Sequence, residues 1–431
     1  MTATAEPGAL RIGTSKTDIT PAQPVTMAGY GSRKDLSKGV HDPLSARAIA
    51  FEQNGKRLVL VSTDVLGFYD GTAASIRKAI LEACKLEPPE LFLSAIHTHS
   101  APTVTLDSEK HPQSNIEYTQ TLQTQLVKLV GEALTNAVPA QIGVGAGSCP
   151  VGVNRREIVR DAVGVPKIVL GRNPAVLTDR EVQVLKVWRA VPQASRLVAV
   201  APQSGTIAAQ VVPQSSRIAA VVFAYATHST SLGPRNYLIS GDIHGLAEQF
   251  LEKYLGGGVA ALAFAGASGD IDPWHRVLPE FKTANGWVPE PVLMGTLLGE
   301  EVANVLNSSA GFQPAPDGPV KTAFKTLVLP GKPHVEGAAA ASTEFNLTVG
   351  RVGEVAFVGL GGEVFNEIGK AIKVASPFAH TFVITHCNGA AGYLPTGPSY
   401  GEGGYEVMSS SFGPTAAEQV IKEAVRMLCE L

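Results

Sequence analysis

The chain has 431 residues, 45% of them hydrophobic and 17% charged, and 35 Lys and Arg against 38 Asp and Glu leave a net charge of −3. This balance excludes a disordered chain, which needs fewer apolar and more charged residues, and a nucleic-acid binder, which carries a basic excess. No apolar run approaches the ~18 residues of a membrane-spanning helix; the longest, 218–226 and 259–265, have the length of buried strands.

The length suits one large domain or two to three ordinary ones. Cys84, Cys149, Cys387 and Cys429 show no C-x-x-C spacing, so neither a disulfide framework nor a thiolate zinc cluster is signalled. Met1 to Leu10 lacks the basic start and apolar centre of a secretory leader, and the expected location is cytoplasmic.

Short β-rich runs alternate with helical stretches, which predicts a mixed α/β fold of β-sheets layered with helices. Val59–Asp64 reads as a buried strand, Gly71–Cys84 as a helix and Leu91–Ala95 as a second strand, a unit that predicts a parallel pair with a right-handed crossover. Tyr118–Ala137 follows as an amphipathic helix, then Gln141–Gly145, Glu181–Trp188 and Ile218–Tyr225 as strands. Within 191–221, Pro-Gln-Ala-Ser-Arg is echoed by Pro-Gln-Ser-Ser-Arg, which reads as similar turns of a β-meander. Leu246–Leu255 is helical, Ala260–Phe264 a strand and Leu293–Leu306 a helix; a Pro/Gly-rich stretch at 311–319 is a linker within one catalytic unit spanning 1–431. Val355–Leu360 and Phe382–Thr385 are strands, and Thr415–Leu428 is the last helix.

Chemistry-bearing residues gather at the ends of these strands, where α/β folds place their sites. His97-Thr98-His99-Ser100-Ala101-Pro102 follows Leu91–Ala95. With strand geometry continued, both imidazoles point to one side. They then reach a metal together, or divide between metal and substrate, or are a surface pair in a turn. Thr227-His228-Ser229 follows the strand ending at Tyr225, and Ser240-Gly241-Asp242-Ile243-His244 opens a helix, with Asp242 or Ser240 as its cap. Gly266-Ala267-Ser268-Gly269-Asp270-Ile271-Asp272-Pro273 is a small-residue turn suited to an anion or to a tight bend. Gly361-Gly362-Glu363 sets a carboxylate past a strand, and Gly392-Tyr393-Leu394-Pro395-Thr396 precedes Tyr400 and Tyr405 in a glycine-rich loop.

In this order the pieces resemble the catalytic domain of neutral ceramidases, and Asp18-Ile19-Thr20-Pro21, Met27-Ala28-Gly29-Tyr30-Gly31 and His41-Asp42-Pro43-Leu44 look like that family's N-terminal signatures. The likeness runs over about residues 10–410 in colinear blocks. It implies the neutral ceramidase fold and one zinc ion held by His97, His228, Glu363 and Tyr393. His99, Arg155 and Tyr405 would face the reacting group, with Tyr393, Tyr405 or His99 at the oxyanion. Two imidazoles and a carboxylate are consistent with an open three-ligand site that a phenol can join.

Two departures shape the expected substrate. The family's turn resembles Gly-Asp-x-Ser-Pro, and here Asp272 stands in the serine's place. This leaves zinc-activated water as the nucleophile, with Asp272 as its base or orienting group. The expected protein is also a shorter relative without the family's C-terminal immunoglobulin-like domain. The reading is therefore a zinc-dependent hydrolase cleaving an amide C–N bond, or a related ester or lactone, of a small or medium-sized substrate. The alternatives are a true ceramidase acting on lipid N-acyl amides and a non-catalytic metal-binding relative. Asp64, Asp242, His244, Asp270 and His275 are candidates for supporting hydrogen bonds, a general base or a second metal. The partner expected is a small-molecule substrate, with no nucleic acid and no membrane span; the sequence does not give the oligomeric state.

Overall fold

The structure, a computed structural model, describes residues 8–189, 218–274, 290–308, 313–315, 318–332 and 341–431. Its largest sheet runs Ala260–Ala265, Ile218–Tyr225, Glu181–Arg189, Val138–Ser148, Arg11–Asp18, Ser45–Gln53, Lys56–Thr63 and Leu91–Ala95 across neighbouring strands. The two outermost pairs are parallel and the pairs between them antiparallel. The sheet curls: Ser62 Oγ donates to Ala263 O (2.7 Å), so strands from its two ends meet. The residues after Ala95, Tyr225 and Ala265 are thereby brought to one place.

A second sheet orders Val320–Leu329, Thr343–Val352, Val355–Leu360 and His380–Ile384. Ile49, Phe51, Phe92, Phe357 and Phe382 belong to one buried cluster shared by the two sheets. Backbone bonds join them at the rim, where Asn388 N donates to Leu93 O (2.7 Å) and Thr385 N to Ala265 O (2.9 Å). Helices close the outer faces. Thr72–Cys84 and Gln113–Thr135 cover one part of the large sheet, Asp242–Leu255 and Glu290–Asn307 another, and Asn366–Ala375 and Ala416–Cys429 the second sheet. The last helix buries Ala416, Val420, Ala424, Met427 and Leu428, the 3.6-residue spacing of a single apolar stripe. Among the described residues no helix is long and apolar enough to cross a membrane.

The mixed α/β expectation holds, including the parallel pair of Lys56–Thr63 with Leu91–Ala95 joined through a helix. Part of the expected linker does more than connect: Gln313 and Pro314 pair with Val144 and Gly143 as an added edge strand. The echoed turns at 192–196, 202–204 and 213–217 lie outside the described residues, as does His275.

Candidate metal centre

The strand Leu91–Ala95 does not continue through the histidine pair. His97 takes a left-handed conformation (φ 59°), which costs a non-glycine residue energy and recurs at functional sites. That turn, in place of strand alternation, brings both rings to one side. His99 N then donates to Ser229 O (3.1 Å), and Thr98 pairs with Ser229 in parallel, so the His97 and His228 segments lie alongside each other. The loop Met27–Gly31 covers the pair; a Cβ on Gly29 would lie 2.4 Å from the His99 ring, so that position requires glycine.

Glu363 arrives from the other sheet. After Val355–Leu360, Gly361 and Gly362 pass close to Asn346 and Gly392, and Glu363–Val364 pairs with Tyr393–Leu394, setting Glu363 directly beside Tyr393. Here the three chain-distant ligand candidates meet. Glu363 Oε2 lies 3.4 Å from His97 Nε2 and 3.5 Å from His228 Nε2. His99 Nε2 lies 3.3 Å from His97 Nε2, and ligand atoms of His97, His99 and His228 all fall within 4.8 Å of one another.

The ring tautomers follow from the second nitrogen. His97 Nδ1 donates to Leu66 O (2.7 Å) and His228 Nδ1 to Ser268 O (2.7 Å), leaving each Nε2 as a lone pair turned to the cluster. His99 Nδ1 has no such partner, although it is buried. Burial, then the neighbouring imidazoles, holds His99 well below the ordinary histidine range. Burial, then Arg155, also lowers His228. Burial opposes ionised Glu363, and what would hold the carboxyl well below the usual range, a proton on His97 or His228, is replaced by a cation where both Nε2 atoms are bare. Glu363 Oε2 is nevertheless buried without a hydrogen-bond donor. Neutral imidazoles with lone pairs facing inward, and a buried carboxylate oxygen lacking a donor, are the donor set a divalent cation satisfies. The residues fit a metal.

Arg155 stands over this cluster at a β-bulge of Gly152–Arg160, a device that re-aims a side chain. Its Nη2 donates to Tyr393 OH (3.1 Å), Nε to Glu406 Oε1 (2.7 Å) and Nη1 to Asp272 Oδ1 (3.2 Å), with His228 Nε2 at 3.3 Å from Nη1. The Tyr393 and Tyr405 rings lie 5.7 Å apart, and Tyr405 is 45% exposed at the rim. Asp272 is fully buried, and its second oxygen accepts from Arg172 Nη1 (3.3 Å).

The remaining candidates have other partners. Asp64 accepts from Ser45 N (2.7 Å) and lies 3.8 Å from Arg47, in a buried ionic cluster with Glu248 and Glu252. His244 uses both nitrogens, on Ser229 Oγ (2.8 Å) and Tyr225 O (3.2 Å), and burial lowers it to about 4. Neither Asp242 nor Ser240 is the helix cap expected; Gly241 occupies that position, Ser240 Oγ accepts from Asp242 N (2.9 Å), and Asp242 accepts from Ser231 N, Leu232 N and Ile243 N and so fastens the loop after His228. Asp270 accepts from Asn366 N and Asn154 Nδ2 (both 2.8 Å) and is raised to about 6 by burial. Asp42, in the expected N-terminal signature, anchors the same turn through Gly241 N (2.9 Å) and Ser240 Oγ.

Two neighbours escaped the sequence reading. His386 stacks on His97 with ring centroids 3.8 Å apart, and Tyr69 OH lies 3.4 Å from Glu363 Oε1. His386 carried a usable signal, since it follows the strand ending at Ile384 as His97 follows Ala95; Tyr69 lies in a loop and carried none.

The fold and this buried imidazole–carboxylate cluster define an α/β protein of neutral ceramidase architecture. The crystal structure of neutral ceramidase from Pseudomonas aeruginosa matches 99% of this chain and 75% of its own, with TM-score 0.74 at 18% identity, and a structure described as ceramidase complexed with C2 matches with TM-score 0.73. Residues 10–157 match the family described as neutral/alkaline non-lysosomal ceramidase, N-terminal. Neutral ceramidase of Oryza sativa subsp. japonica is 27% identical over 303 residues, 65% of this chain and 34% of the rice protein; neutral ceramidase 1 of Arabidopsis thaliana is 26% identical over 56% of this chain and 29% of its own. The chain is similar to neutral ceramidases in its fold and, over residues 10–157, in its sequence, and its matches span about a third of those plant relatives' length.

Proposed function

We propose that this protein is a metal-dependent hydrolase that cleaves the N-acyl amide bond of ceramide-type lipids. The observation that carries the reading is the meeting of His97, His228 and Glu363 from three distant strand ends, with an unsatisfied carboxylate oxygen between two imidazole lone pairs. The relatives' names supply the substrate class, and they favour a lipid amide over the smaller, more polar substrate expected from Asp272 in the serine's place.

His97, His228 and Glu363, with Tyr393 beside them, would hold a zinc ion. Such a metal supplies Lewis acidity, polarising a carbonyl and making water a nucleophile near neutral pH. Arg155 and Tyr393, hydrogen-bonded to each other, form the donor pair for negative charge developing on the amide oxygen. His99, kept neutral by burial, accepts the proton of the attacking water on a ring nitrogen and returns it to the leaving amine. Tyr405 at the rim contacts the entering substrate.

The test is turnover of N-acyl sphingoid bases beside small linear amides and esters, with chelator and zinc add-back. Fatty-acid release from the sphingoid amides, abolished by chelator and restored by zinc, is the result expected. Turnover confined to small polar amides would return the substrate to the sequence expectation, and turnover untouched by complete metal removal would sink the reading.

A further inference from the structure

Arg155 and Arg156 are neighbours on the strand Gly152–Arg160, and consecutive strand residues point to opposite faces. The register shift between Asn154 and Arg156 breaks that alternation. Both guanidinium groups reach one carboxylate: Glu406 Oε1 accepts from Arg155 Nε (2.7 Å) and Oε2 from Arg156 Nη1 (3.0 Å). All three side chains are buried. Each carboxylate oxygen thus serves one cation in a setting where an unpaired charge is costly.

The contact joins the centre to its rim. Glu406 directly follows Tyr405, whose ring lies against Tyr393. The chain reaches Tyr405 through Gly404, which has φ 96°; a Cβ there would lie 2.8 Å from Ile168 Cγ2 and 3.0 Å from Arg156 Nη1. Arg156 Nη2 also donates to Gly403 O (2.8 Å) and Glu402 Oε2 (3.1 Å). Arg156 therefore fastens the segment 402–406, and through Glu406 that segment fastens Arg155.

Arg155 needs such a hold. Its Nη1 lies 3.3 Å from His228 Nε2, an atom turned toward the candidate metal position, and a divalent cation there repels a guanidinium. Asp272 accepts from Nη1 and Tyr393 from Nη2, while Glu406 takes the Nε edge. We propose that Glu406 is the positioning residue that holds Arg155 for the reaction, with Arg156 and the segment 402–406 as its anchor. The proposal rests on the hydrolase reading, which makes Arg155 a donor to the amide oxygen.

Glu406→Gln keeps the size of the side chain but turns one accepting oxygen into an N–H donor that faces a guanidinium. It is expected to lower kcat for a soluble short-chain N-acyl amide about 10²-fold, with KM and zinc content at the parent's values. A cycle with Arg155→Gln separates holding from general support of the fold. In that background Glu406→Gln should change kcat by no more than about twofold, because the group it holds is gone. Arg156→Gln leaves the Arg155 contact in place and should cost about tenfold, again only where Arg155 is present. If circular dichroism shows Glu406→Gln unfolded, Arg156→Gln carries the cycle. The Nε–H resonance of Arg155, assigned by its absence in Arg155→Gln, reads the contact without any reaction: it should exchange slowly with water in the parent and fast in Glu406→Gln. Equal losses in both backgrounds, an Nε–H still protected in Glu406→Gln, or full turnover by that variant would overturn the proposal and leave the hydrolase reading standing. A parent that turns over no amide would overturn that reading instead, and protection lost in Glu406→Gln would still show Glu406 holding Arg155.

Discussion

Arg155 Nη1 lies 3.2 Å from Asp272 Oδ1, and the other oxygen of Asp272 is 3.3 Å from Arg172 Nη1. A carboxylate held between two guanidinium groups has its lone pairs directed at fixed donors, which suits a holder of Arg155 better than a base. Asp272→Asn is then expected to cost about 10²-fold in turnover through misplaced Arg155 while keeping the shape of the pH–rate profile. Arg172→Gln acts through the same contact. The double variant should therefore be little worse than Asp272→Asn alone, a coupling of about 0.5–3 kcal/mol. Additive losses, with the profile altered only in Asp272→Asn, would restore Asp272 as the base.

The two histidines of the first motif should separate in their variants. His97 is fixed from behind by Leu66 O, the arrangement typical of a metal-bound imidazole, whereas buried His99 Nδ1 has no partner. His97→Ala is expected to lose both metal and turnover. His99→Ala should keep the metal and lose about 10²-fold or more in rate. Metal analysis of the two purified variants decides it, and an empty His99→Ala protein would make His99 a ligand.

Stability should fall with rising pH through one buried carboxyl. Burial, offset in part by the Leu232, Ser231 and Ile243 amides, raises Asp242 to about 6, against about 3.9 for an unfolded aspartate. Between these values the unfolded chain has released its proton and the folded chain keeps it. This contribution is therefore full below about pH 4 and lost by about pH 6, about 3 kcal/mol in all. Asp242→Asn removes the titration and turns one of the two accepting oxygens into a donor, so at most one side of the three amide contacts is kept. In urea unfolding the parent's advantage over that variant should shrink as pH rises through the window; an advantage that stays constant or grows contradicts the assignment.

Much of this centre was legible because its residues stand at the ends of strongly apolar strands. Leu91–Ala95, Ile218–Tyr225 and Val355–Leu360 are readable from local pattern, and His97, His228 and Glu363 lie two or three residues past them. What pattern could not supply is the pairing between distant segments. Ser45–Gln53, Gly152–Arg160 and Thr343–Val352 each turn back on an adjacent strand, but their second partners, Arg11–Asp18, Ile271–Pro273 and Val320–Leu329, are not given by local pattern. The left-handed turn at His97 is likewise set by contacts with Ser229 and Leu66. Arg172 on Asp272 and Tyr69 on Glu363 bridge 100 and 294 residues, so the chemistry of Asp272 could not be read from its turn alone.

The central claim is that three strand ends make one metal centre. Anomalous diffraction from crystals of the zinc-loaded protein, with metal stoichiometry from the same preparation, addresses it most directly. The account predicts one strong peak per chain with His97 Nε2, His228 Nε2 and a Glu363 oxygen about 2.0–2.2 Å away. A zinc-loaded protein whose peak lies elsewhere, or whose peak lacks Glu363 and either of these histidines, would contradict it.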